Sequence, residues 1–315
     1  MAVEASPARP LVRPRGLAAF GGLTRQQVRE VGEALLYLAP SLVLFAAFVF
    51  IPLVRSLVLS LYNTNPLGNP TSFAGLDQYT ELFRSGTFWN GMRATVLYVV
   101  YTVPPGIALA LVLAVLVNQR LKAINVFRTM MASTIAVSAA VGSLIWLLLL
   151  NPALGLLNYA LGVIHIPGPQ WLTDPSVAIV GIALTSIWLT LGFNIIVLLA
   201  GLQSIPEELY ESARIDGAVA WDTFRHMTVP LLSPSLFFLG VVGTINGIQA
   251  FTQIHLLTRG GPVDSTRTLV YSLYLDAFQN FLTGYASAQA MVLFVLILVL
   301  TIVQFRYVER FVHYQ

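Results

Sequence analysis

The chain has 315 residues, of which 57% are hydrophobic and only 10% charged, with a mean hydropathy of +0.77. Soluble domains carry about a quarter of their residues as Asp, Glu, Lys and Arg, so this composition excludes a water-soluble fold and makes lipid the main solvent. The lack of cysteine excludes disulfide frameworks, thiolate metal sites and cysteine nucleophiles, and the net charge of +3 is no nucleic-acid signature because the charges sit at the ends of apolar runs.

Residues 1–33 read as a cytoplasmic arm. Its first 23 residues have the composition of a disordered segment. Thr24 with Gln27 then suits the start of an interfacial helix through Val28, Val31 and Leu35. Six runs without a charged residue follow, over 34–54, 94–119, 129–173, 175–206, 227–258 and 277–305. About 20 apolar residues cross a bilayer, and backbone polar groups in lipid must be satisfied within the segment. Each run therefore predicts one helix, near 36–60, 94–117, 128–150, 177–202, 231–257 and 285–306. The expected fold is an all-α integral membrane protein with six transmembrane helices over 34–306, a loop at 203–230 and a tail at 307–315. Asn151-Pro152, Gly155, Pro167-Gly168-Pro169 and Asp174-Pro175 mark the end of the third run as a loop with a short helix at its start.

Lys and Arg are retained on the cytoplasmic side of membranes. Arg9, Arg13, Arg15, Arg25, Arg29, Arg120, Lys122, Arg128, Arg214, Arg225, Arg306 and Arg310 fall on one side, twelve against the four of Arg84, Arg93, Arg259 and Arg267. Both termini are thus expected in the cytoplasm of a multi-pass protein. The first apolar run exceeds a signal-peptide core and follows a long basic arm, so no cleavage is expected.

Apart from Arg55 and the end residues Arg128 and Arg306, the six spans hold no Asp, Glu, Lys or Arg, which speaks against the ion-coupled carriers that keep such groups at membrane depth. His165, His226, His255 and His313 lie on separate segments without metal-ligand spacing, and no glycine-rich phosphate cradle occurs. No metal site, no bound cofactor and no enzymatic activity of its own are expected. If the chain pumps, another subunit supplies the energy.

The loop between the fourth and fifth spans is patterned as structure. Ser204 with Glu207 suits a capping box, Pro206 a first turn, and Gly217 a left-handed stop, with Leu209, Ala213 and Asp216 on one face and Tyr210 beside them. A second short helix carrying Trp221 and Phe224 runs to Pro230. The result is a helical elbow with small residues, Ser212, Ala213 and Ala218, around its bend. Amphipathic helices that lie on anionic lipid carry Lys and Arg. This loop has five acidic residues against two arginines, so a protein partner is the better fit.

Glu211-Ser212-Ala213-x3-Gly217-x9-Met227-x-Val229-Pro230 resembles the E-A-A-x3-G-x9-I-x-L-P signature of ABC-importer permeases. Ser212, Met227 and Val229 are mild departures from it. Further stretches are similar to the carbohydrate-type branch: Phe73 to Tyr79, Asn151 to Asn158, Ala200 to Pro206, Arg259 to Pro262 with Thr266, and Gly284 to Ala288. The ending from Thr301 to Arg310 resembles the first permease subunit of glycerol-3-phosphate importers. The resemblance implies a coupling role for Glu211, Ser212, Ala213, Asp216, Gly217 and Pro230, and transport of glycerol 3-phosphate, a glycerophosphodiester or, in the wider branch, a di- or oligosaccharide. It also implies a second permease subunit, two copies of an ABC ATPase that bind ATP and Mg, and an extracytoplasmic solute-binding protein docking on loops 62–93, 151–176 and 258–284. Its setting is the bacterial cytoplasmic membrane.

A polar solute needs hydrogen-bonding groups facing the bundle interior. Asn246, Gln249 and Gln253 follow at helical spacing, Thr244 lies nearby, and Asn194 in the fourth span could face them. The same amides could instead bond neighbouring helices. Arg55 is the one basic residue at a span's outer half; it could meet a phosphate or simply reach the headgroups. Trp146, Trp188 and Phe251 read as packing or interfacial belt rather than sugar platforms.

Overall fold

The computed structural model describes residues 25–119 and 122–308. Four unbroken helices are long and apolar enough to span a membrane: Gly32–Leu59, Gly86–Val117, Ala178–Ser204 and Thr283–Tyr307. Two bent pairs, Ile124–Ala136 with Ala139–Leu149 and Ala220–Leu231 with Ser233–Ile248, complete six spans when each counts once. Their outward residues are apolar and exposed, as with Phe48 and Leu148, which suits lipid as their solvent. The Lys and Arg residues at 9, 13, 15, 120 and 310, the Thr24 cap and His313 lie outside the described residues.

The helix that leads into the first span starts at Arg25 and is unbroken through Phe45, continuing as a π-turn over Ala46–Phe50 and a helix over Ile51–Leu59. The expected separate interfacial helix is therefore the first part of one long helix. Arg29 Nε donates to Glu33 Oε1 at 2.8 Å, an i,i+4 pair that favours continuity.

The second span begins at Gly86, eight residues before the expected start. Arg93 interrupts the uncharged run but, being exposed, does not interrupt the helix. Every fourth residue of this span, Tyr98, Thr102, Gly106, Ala110 and Ala114, is buried. This stripe packs on the fourth span, where Ala110 and Ala114 meet Ile195, Leu198 and Leu202. Small residues let helices approach closely in lipid, where dispersion replaces the hydrophobic effect. The fifth span closes on the second the same way: a Cβ at Gly243 or Gly247 would sit 3.0 Å from Val103 or Val99.

The third span is bent by 104° rather than straight. Ser133 Oγ donates to Met130 O and Thr134 Oγ1 to Met131 O, and Ser138 is extended and caps Val141 N. Hydroxyls that bond the local backbone compete with a helix and break it here. Thr134 Oγ1 also accepts from Gly192 N at 3.0 Å, tying the break to the fourth span.

The fifth span ends at Ile248, and a separate helix covers Thr252–Leu257. A turn through Gln249 and Ala250 thus replaces the straight helix expected to 257. At the Gly86 end, a two-stranded antiparallel hairpin pairs Tyr62–Thr64 with Pro70–Phe73, the one departure from all-α architecture among the described residues. The 151–176 loop holds the expected short helix, Leu156–Val163. Asn158 pins that loop by donating to Pro152 O and Pro169 O and accepting from Trp171 Nε1 at 2.6 Å.

Candidate functional site: an exposed elbow and an interior polar cavity

The elbow at the Ser204 end is built as two helical pieces, Glu207–Ile215 and Ala220–Thr223, the second continuing through a π-turn at Phe224–Thr228 into the fifth span. Its start differs from the sequence expectation. Ser204 closes the fourth span, with Oγ donating to Gly201 O at 2.7 Å, and Pro206 is the N-cap without a side-chain bond. The capping box fails because the fourth span holds Ser204 in its own last turn. Glu207 and Glu208 still occupy the first turn, where the helix dipole favours negative charge.

The stop forms as the sequence predicts. Gly217 has φ +79°, Ala218 N donates to Ala213 O at 2.9 Å, and Gly217 N donates to Arg214 O at 3.1 Å. These two bonds are a Schellman motif, which satisfies the last carbonyls of the helix. The Tyr210 and Thr228 hydroxyls lie 3.2 Å apart, and Tyr210 packs on the Ala110–Leu202 core, so one elbow helix is fastened to the foot of the fifth span. Leu209, which shares a face with Ala213 and Asp216, is exposed.

Glu211, Ser212, Asp216 and Gly217 are exposed, whereas Ala213 and Pro230 are half-buried. The outer surface also presents Ile215 at 86% exposure and Trp221 at 64%, with Trp221 tilted on Phe224 at 5.7 Å. Exposed apolar groups set among carboxylates give this surface the composition of a protein contact. Behind the elbow lies a cavity of about 1080 Å³ reached by Glu211, Arg214 and Arg128. Arg128 Nε and Nη2 both donate to Val117 O, at 2.9 and 2.8 Å, which caps the second span.

The second feature is an interior cavity of about 130 Å³ between the second, fourth and fifth spans. Asn194, Asn246 and Gln253 line it together, as the sequence suggests. Gln249 does not: the turn after Ile248 breaks the stripe and leaves Gln249 exposed. Thr244 faces the sixth span, accepting from Gln304 Nε2 at 3.3 Å. Arg55 is exposed and outside the cavity lining.

Sequence reasoning missed Tyr98, Thr102, Ser186 and Thr190, which supply the hydroxyls of this lining. The signal was present, because Ser186, Thr190 and Asn194 repeat at four-residue spacing along one helix face. Tyr98 Oη and Ser186 Oγ lie 2.6 Å apart and fix each other. Thr102 Oγ1 is buried beside Tyr98 and adds a third hydroxyl to this cluster. The wall contains hydroxyls and amides but no Asp, Glu, Lys or Arg, so its lining is polar and uncharged. Trp146 and Trp188 pair at 6.3 Å, and Phe251 stacks on His255 at 5.2 Å beside Tyr271 and Tyr274, so all three serve packing.

Residues 83–313 match the family described as binding-protein-dependent transport system inner membrane component. The sn-glycerol-3-phosphate transport system permease protein UgpA of Agrobacterium fabrum is 36% identical over 282 residues, covering 89% of this chain and 95% of that relative. The UgpA of Pectobacterium atrosepticum is 34% identical over 279 residues, covering 88% and 94%. Among solved structures, a chain of a bacterial alginate ABC transporter in complex with a pentasaccharide-bound periplasmic protein superposes with a TM-score of 0.78 at 22% identity, over 90% of this chain and 96% of that one. That likeness is one of fold.

Proposed function

The chain belongs to the family of binding-protein-dependent transport system inner membrane components, and from that membership we propose that it is a transmembrane permease subunit of an ATP-driven importer for glycerol 3-phosphate or glycerophosphodiesters. It is a transport subunit and not an enzyme. ATP and Mg are bound by a separate ATPase, of which two copies serve a pair formed by this chain and a second permease. The setting is a bacterial cytoplasmic membrane with both termini inside, as the Lys and Arg distribution favours.

The observation that carries the reading is the elbow: a Schellman-terminated helix pair, carboxylate-rich and apolar at its tip, that grows directly into the fifth span. Glu211, Ser212, Ala213, Asp216, Gly217 and Pro230 form the handle on which an ATPase pulls. Force applied there reaches the interior cavity through the bent pair Ala220–Leu231 and Ser233–Ile248, and the spans tilt to alternate its access. Asn194, Asn246 and Gln253 then hold the hydroxyls of the solute. The cavity wall has no cation, so the phosphate is met by the facing permease subunit, and Arg55 serves the headgroup region.

Reconstitution tests this. Proteoliposomes holding both permeases, the ATPase and the cognate solute-binding protein should hydrolyse ATP faster and accumulate labelled glycerol 3-phosphate when loaded receptor is outside. Stimulation by a disaccharide-loaded receptor alone would move the substrate to the oligosaccharide class. Uptake that collapses with the proton gradient while ATP remains would replace the importer with a secondary carrier.

A further inference from the structure

At the Gly86 end of the bundle, the hairpin loop, the segment after the fifth span and the start of the sixth span enclose a cavity of about 330 Å³. Asp276 stands in its wall and is only 8% exposed. Its Oδ1 accepts from Asn280 Nδ2 at 2.8 Å and its Oδ2 from Gln289 Nε2 at 2.7 Å. Both donors are neutral. A buried carboxylate in that position keeps spare lone pairs and has no ion-pair partner within 4.0 Å among the described residues.

Gln78 adds an independent sign. It is 6% exposed, and its Nε2 donates to Tyr62 O. That bond fixes the amide, because turning it over would set oxygen against oxygen. Its Oε1 is left buried without a partner in the wall of the same cavity. Glu81, exposed, brings a second carboxylate. The one cation among the described lining residues, Arg267, donates through Nε to Ser272 Oγ at 3.0 Å, and its guanidinium lies 3.8 Å from Asp264, so a single guanidinium stands against the carboxylates of Asp276 and Glu81 as well as that of Asp264. The surplus groups are thus acceptors, and they call for a donor-only, positively charged group.

Leu282 lines the cavity and Phe281 precedes it, 51% and 54% exposed. An apolar rim around a desolvated acidic pocket is the setting in which an arginine or lysine anchors a protein interface. We propose that this cavity receives one basic side chain of the docked solute-binding protein, a contact that rests on the importer reading above.

The test uses the assembled transporter in nanodiscs of phosphatidylglycerol alone, titrated with the solute-binding protein. Wild type, Asp276→Asn and Glu81→Gln are compared, each against Lys→Ala and Arg→Ala variants of the receptor. Asp276→Asn should weaken docking by at least about tenfold, and one receptor cation should lose its effect in that background. Glu81→Gln, at an exposed helix position, gives a several-fold loss and keeps the test decisive should Asp276→Asn fail to assemble. Equal docking by both variants, or no receptor cation coupled to either, overturns the contact. Dependence on Asp276 that appears only after phosphatidylethanolamine is added assigns the cavity to a lipid amine and also overturns it. No docking by wild type overturns the importer reading and this contact with it.

Discussion

Replacing Gly217 isolates what the elbow needs from its bend. The residue has φ +79°, and a Cβ there would meet nothing within 4 Å, so any penalty is one of backbone conformation and not of crowding. A left-handed L-residue costs about 1–2 kcal/mol, and a β-branched one is a still clearer outlier. Asparagine tolerates this region several-fold better than most residues. Because the bend is solvent-exposed, a strained elbow relaxes when free and must be re-formed on docking, so the strain appears as weaker affinity. About 1–2 kcal/mol corresponds to about a five- to thirtyfold loss. The expected order of ATPase affinity is glycine, then Gly217→Asn, then Gly217→Ala, then Gly217→Val. It is read by titrating purified ATPase onto the permease pair in nanodiscs, with receptor-stimulated ATP hydrolysis as the second readout. The ordering follows tolerance of positive φ and departs from side-chain size at one pair, asparagine above alanine. If Gly217→Ala matches wild type while Gly217→Asn is impaired, size rather than backbone conformation governs the contact and the reasoning fails.

Glu211→Lys reverses a charge on the exposed elbow and should lower receptor-stimulated ATP hydrolysis at least several-fold without loss of membrane insertion; unchanged stimulation would remove Glu211 from the contact. Asn246→Leu and Gln253→Leu, in the cavity wall, should each reduce substrate uptake by roughly tenfold, the effect of about 1–2 kcal/mol from an unmatched polar group, whereas Gln249→Leu should stay within about twofold; uptake assays in proteoliposomes compare them. Gly192→Ala places a Cβ 2.5 Å from Thr134 Oγ1 and 2.8 Å from Met131 O, an overpacking worth about 1–3 kcal/mol, while Gly240→Ala meets nothing within 4 Å; thermal unfolding in detergent should separate the two. Asp174 has its carboxyl held below the usual range by hydrogen bonds from the Ser176 hydroxyl and backbone N–H. Its contribution is therefore present above the ordinary carboxylate pKa and lost as pH falls through the lowered value, so the protection of amides around residues 174–178, taken relative to their intrinsic exchange rates, should fall on acidification and Asp174→Ala should abolish that pH dependence.

Charge spacing located the spans because lipid penalises ionised groups at depth, yet it misplaced ends where an exposed arginine such as Arg93 sits on a helix flank. The left-handed stop at Gly217 was legible because one residue type and one spacing encode it. The elbow's first residue was not, since Ser204 satisfies the local rule for a cap while belonging to the last turn of another helix. The breaks in the third and fifth spans were hidden for a related reason. An apolar run reports only that a segment prefers lipid, whereas those breaks depend on Ser133, Thr134 and Ser138 choosing backbone partners and on the turn at Gln249. The interior cavity was half-visible: its amides were found from the fifth span, while the hydroxyl stripe of Ser186 and Thr190 was overlooked among residues that commonly serve as helix glue. The acceptor-rich pocket at the Gly86 end joins residues from 78 to 289 and has no local pattern.

The turn at Gln249 bears on how motion is shared within the chain. Asn246 lies before it and Gln253 after it, so the two amides ride on separate rods. A continuous helix would hold their spacing constant during any tilt. With the ladder interrupted, displacement fed in from the elbow can be absorbed at this joint, changing the spacing of the two amides before the neighbouring helices need shift.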